Sequence, residues 1–64
     1  MNNAKLTSVK ILEDLYKRFK QTTVNTKMTL QKLTNRSIDL YLIDKNYKQQ
    51  LETHDNLISS GSNL

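Results

Sequence analysis

The chain has 64 residues, a net charge of +4 and no cysteine. These facts leave room for one small domain and exclude a disulfide-stapled scaffold or a thiolate metal site. A lone histidine, His54, excludes an imidazole-rich metal site as well, and oligomerisation is the remaining route to stability for a scaffold this small.

The charge is unevenly placed. Residues 1–36 hold Lys5, Lys10, Lys17, Arg18, Lys20, Lys27, Lys32 and Arg36 against Glu13 and Asp14, a balance of +6. Residues 37–64 hold Lys45 and Lys48 against Asp39, Asp44, Glu52 and Asp55, a balance of −2. A basic excess gathered in one part of a chain is the footprint of a phosphate-binding surface, and equally that of a solvated basic face. No apolar run approaches membrane-spanning length. The N-terminus, Met1-Asn2-Asn3-Ala4-Lys5, lacks the apolar core of a signal peptide. With cysteine absent, a cytoplasmic location is expected.

In chain order, residues 1–4 are polar and read as a flexible arm. Residues 5–11 alternate, with Thr7, Val9 and Ile11 on one side and Leu6, Ser8 and Lys10 on the other. That period predicts a half-buried strand. A single short strand has no partner in so small a chain, and an unpaired edge must be covered or paired. The simplest partner is the same strand of a second copy. The pair would form a two-stranded ribbon with Leu6, Ser8 and Lys10 outward, a width that fits the major groove of duplex DNA.

Residues 13–24 read as a first helix. Glu13 and Asp14 complement the dipole of its first turn, and Leu12, Leu15, Phe19 and Val24 recur at roughly helical spacing. Asn25-Thr26-Lys27 reads as the turn. Thr29 is placed to cap a second helix, with Met28 packing back on Leu33. Leu30, Leu33, Ser37, Ile38, Tyr41 and Leu42 mark its apolar face, and the helix is expected to reach about Gln50 or Leu51. From Glu52 onward the chain turns to Ser, Asn and its only Gly, so residues 52–64 read as a flexible tail after a domain spanning 5–51.

Thr7-Ser8-Val9-Lys10-Ile11, then Glu13-Asp14-Leu15-Tyr16-Lys17-Arg18-Phe19, then Met28-Thr29-Leu30-Gln31-Lys32-Leu33, completed by Ser37 and Tyr41-Leu42, resemble the ribbon-helix-helix family of MetJ/Arc/CopG-type repressors. The likeness covers residues 5–43 and rests on residue types rather than on an invariant signature. Leu12 stands where many members have Pro or Ser, and the turn at Asn25 lacks the usual Gly.

The resemblance implies a mainly α fold with one short N-terminal strand, an intertwined homodimer with an intermolecular antiparallel β-ribbon. It implies a sequence-specific DNA-binding transcriptional repressor. Base contacts fall to Leu6, Ser8 and Lys10: Lys10 suits guanine O6 or N7, and Leu6 either touches a thymine methyl or covers the dimer core. Lys5, Lys27, Thr29 and Leu30 are expected at phosphates, the last two through helix N-terminal amides. Val9, Ile11, Leu15, Phe19, Leu33, Ile38, Tyr41 and Leu42 are expected in the dimer core. Dimers side by side on repeated sites are a further expectation.

Three alternatives stay open. A plasmid partition adaptor or an antitoxin would use residues 44–64 to hold a protein partner. A small helical interaction module without DNA binding would extend the second helix as a coiled-coil seam, although apolar spacing fades after Leu42 except at Tyr47 and Leu51. An enzyme is not expected, and neither is a cofactor or a metal. Ser8 has no evident base, Glu13 and Asp14 are adjacent on a basic surface, and no Gly-rich phosphate loop is present.

Overall fold

In the computed structural model, residues 3–55 and 57 are described. They form three helices, α1 (Glu13–Thr23), α2 (Leu30–Ile43) and α3 (Lys45–Thr53). The chain enters α1 from extended backbone at Leu12, and the first helical bond runs from the Tyr16 amide to the Leu12 carbonyl at 2.9 Å. Among the described residues no side chain caps this end. Glu13 and Asp14 in the first turn and Lys20 in the last both oppose the helix dipole favourably. At Thr22-Thr23-Val24 three β-branched residues meet, a poor run for continuing a helix. Thr23 turns its hydroxyl back onto the Phe19 carbonyl at 2.9 Å.

Thr26 organises the turn that follows. Its amide and its hydroxyl both donate to the Thr23 carbonyl at 3.0 Å, and its hydroxyl accepts from the Met28 amide at 3.1 Å. Thr29 then caps α2 from an extended conformation, accepting from the Lys32 amide at 3.0 Å, which is the role its position predicts.

Two expectations about the elements are overturned. The N-terminal strand, and with it the ribbon-helix-helix fold and its intermolecular ribbon, is replaced by an all-helical arrangement. No strand occurs among the described residues; 3–12 carry no regular secondary structure, with 3–11 exposed and Leu12 half-buried. Period-2 alternation prepares a segment for a sheet, but a ladder needs a neighbour, and among the described residues no strand pairs with residues 5–11.

The second correction concerns the long helix expected to reach Gln50 or Leu51. It is two helices, parted at Asp44. Aspartate is a poor interior residue and a strong N-cap because its carboxylate competes for local amides. Here it accepts from the Asn46 and Tyr47 amides at 2.9 and 3.1 Å. Helix α3 continues through Thr53, so Glu52 and Thr53 are helical rather than part of a tail. Residues 1, 2, 56 and 58–64 of the expected arm and tail lie outside the described residues.

Helices α2 and α3 pack on each other, and α1 packs on neither. The radius of gyration, 13.2 Å, exceeds the value of roughly 11 Å for a compact domain of this length. No described residue is buried. Of the residues expected in a dimer core, Leu15, Phe19 and Tyr41 are half-buried, while Val9, Ile11, Leu33, Ile38 and Leu42 are exposed. No helix among the described residues is long and apolar enough to cross a membrane.

Candidate nucleic-acid interface

Two places carry the residues singled out for DNA contact. The first is the irregular segment 3–12. Lys5, Leu6, Ser8 and Lys10 all lie on it and all are exposed, Leu6 at 99 %. Where the segment meets α1, Lys10, Ile11, Leu12 and Leu15 line a shallow hollow of about 140 Å³ together with Leu57. Sequence reasoning did not foresee Leu57 there. The apolar pair Leu57-Ile58 in an otherwise polar stretch was the one available signal.

The second place is the turn into α2. Lys27, Thr29 and Leu30 converge at the helix start. The Thr29 hydroxyl is engaged with the Lys32 amide and the Thr29 carbonyl with the Leu33 amide at 2.9 Å. The first helical amides, those of Leu30 and Gln31, have no hydrogen-bond partner among the described residues. Helix starts of this kind favour anions, because partial positive charge accumulates on such amides.

Lys32 adds a feature that spacing alone did not reveal. Its ammonium folds back and donates to the Lys27 carbonyl at 3.0 Å, so a second cation stands beside Lys27 at the positive end of the dipole. The first turn of α2 carries no acidic residue. Cations at a helix start are unfavourable on electrostatic grounds unless an anion completes the arrangement.

On α1, Lys17, Arg18 and Lys20 are exposed, and the Lys20 ammonium sits 6.0 Å from the Tyr16 ring centroid. That is the edge of cation–π range and worth little at an exposed site. The arm and the turn are separate in the chain, and no hydrogen bond links them among the described residues. Nor do the described residues bring together three His, Cys, Asp or Glu side chains that could hold a metal.

The other polar cluster lies between α2 and α3. The Tyr41 hydroxyl donates to Glu52 Oε2 at 2.6 Å, and the Lys48 ammonium lies 5.8 Å from the Tyr41 ring centroid. The hydrogen bond to the Glu52 carboxylate, with desolvation and the carboxylate's charge behind it, raises the Tyr41 pKa above its ordinary value.

Comparison with protein-family models, with curated proteins and with solved structures yields no match to this chain.

Proposed function

We propose that this chain is a DNA-binding protein that acts as a homodimer and regulates transcription by occupying a short operator. The observation that carries this proposal is the segregation of charge. Eight of the ten basic residues fall in residues 1–36, on the arm, on α1, in the turn and in the first half of α2. Electrostatic attraction to phosphates supplies most of the non-specific affinity of such proteins for duplex DNA.

In this proposal Lys5 and Lys27, with the amides at Thr29–Leu30, hold phosphates. Lys32 joins them because its ammonium is drawn to the Lys27 carbonyl. Leu6, Ser8 and Lys10 are carried on an exposed segment without regular structure, free to reach base edges. Contact comes from an arm and a helix start, with no paired ribbon involved. The absence of any buried residue in the described chain supports self-association, and a DNA-bound regulator belongs in the cytoplasm.

Binding to random duplex DNA, with selection and sequencing at two salt concentrations, tests the proposal. Enrichment of a short repeated motif, with affinity falling steeply in salt, supports a sequence-reading dimer. Weak binding without enrichment counts against it and leaves the charge as a solvated surface.

A second reading is favoured by one observation: the described elements are all helical. A small helical interaction module would use the exposed apolar side chains Val24, Leu42 and Ile43, each at least 70 % exposed. A stable oligomer indifferent to DNA would select it.

A further inference from the structure

Every residue from Leu30 to Thr53 is helical except Asp44. The stretch contains neither Gly nor Pro, the residues that ordinarily break or kink a helix. Asp44, with φ −114° and ψ 107°, ends one helix and begins the next. Its amide donates to the Leu40 carbonyl at 2.8 Å, and its carbonyl accepts from the Lys48 amide at 2.9 Å.

Both of these are the bonds that an uninterrupted α-helix would make at the same positions, since each spans four residues. A bent and a straight form therefore share them. Only the amides of Lys45, Asn46 and Tyr47 change partner. In a straight helix they would reach the carbonyls of Tyr41, Leu42 and Ile43; in the bent form the Asp44 carboxylate takes the second and third. Few hydrogen bonds separate the two forms.

A second contact belongs to the bent form alone. Tyr41 and Glu52 are eleven residues apart, about three turns, so a straight helix would place them on one face but separated by about 16.5 Å of rise. Their hydrogen bond at 2.6 Å closes only when α3 folds toward α2, and Lys48 over the Tyr41 ring lies within the same fold. Straightening would also bring Leu33, Ser37, Leu40, Asp44, Tyr47 and Leu51 into a four-three alternation, a heptad seam with Asp44 as its one charged member. The bend holds that seam in two unaligned halves.

We propose that Asp44 is a one-residue hinge, converting α2 and α3 between the bent pair and a single continuous helix over residues 30–53. The Asp44 carboxylate and the Tyr41–Glu52 bond hold the bent side.

Because the chain has no cysteine, spin labels can be placed singly in pairs. Labels at Gln31→Cys and Gln50→Cys report the change, since a straight helix sets those positions about 28 Å apart along its axis. Asp44→Ala removes the cap and supplies a stronger helix former. The expected result is a shift of the distance distribution to about 28 Å, with a gain in helical ellipticity. A distribution unchanged from the parent, or a loss of ellipticity because α3 melts, would overturn the hinge. Should Asp44→Ala fail to fold, Tyr41→Phe decides the matter with the cap intact. Growth of the long-distance population supports the hinge, and an unchanged distribution overturns it.

Discussion

The Tyr41 hydroxyl and the Glu52 carboxylate meet at 2.6 Å across the α2–α3 pair, the one side chain to side chain hydrogen bond found among the described residues. Glutamate here is the acceptor, so the bond exists only while the tyrosine keeps its proton.

The pH dependence follows. Tyr41 is raised above 10.0 chiefly by that hydrogen bond. A group whose folded pKa is raised contributes fully below the unfolded value and loses its contribution as pH rises through the folded value. The Tyr41–Glu52 contact is therefore expected intact at neutral pH and lost only above about pH 10. Phenolate absorbance titration of the parent against Glu52→Gln checks this. One tyrosine should ionise at lower pH in the variant, and superimposable curves would show that the bond does not persist in solution.

Thr29 stabilises α2 by accepting from the Lys32 amide. Thr29→Ala is expected to cost about 1 kcal/mol, visible as a lower midpoint in urea with an unchanged slope. Thr29→Ser keeps the acceptor and should restore most of the loss. If both variants unfold like the parent, the cap does not contribute in solution.

Lys10 and Lys27 separate base reading from phosphate holding. Lys10→Ala is expected to weaken binding to the selected operator by about 1–3 kcal/mol and to relax its sequence preference. Lys27→Ala should weaken all sequences alike and reduce the salt slope by about one. Equal behaviour of the two variants would remove Lys10 from base contact.

Phe19 is half-buried in the single chain. The dimer proposal has an interface complete its burial, so Phe19→Ala should cost about 3–5 kcal/mol and move the protein to monomer in sedimentation equilibrium. A dimer of unchanged stability would place the interface elsewhere.

Much of the helical layout was legible in the sequence. Glu13 and Asp14 marked the start of α1 and Thr29 the start of α2, while the β-branched run at Thr22–Val24 left the end of α1 open. Each signal is local: a side chain acting on amides or dipoles within a turn of itself. The break at Asp44 was local too, but an apolar face continuing to Tyr47 and Leu51 masked it. Periodicity records which side of a helix is apolar and says nothing about a cap that interrupts the helix. The strand was not legible in the same sense, because alternation at residues 5–11 is a property of the segment while a ladder is a property of two segments. For the candidate site, the charge imbalance was plain from composition, but the return of Lys32 to the Lys27 carbonyl depends on the path of the turn set by Thr26.

The exposed, irregular segment of residues 3–11 has one more consequence. Proteases bind their substrates as extended chain, and exposed segments without regular structure are where nicking concentrates. Lys5 and Lys10 sit on such backbone, whereas Lys17 and Lys20 lie inside α1. A trypsin-like enzyme at low dose should cut after Lys5 and Lys10 first, releasing the arm and leaving the three helices joined. The arm is a severable handle, and the trimmed chain separates what the helices do by themselves from what they do with it attached.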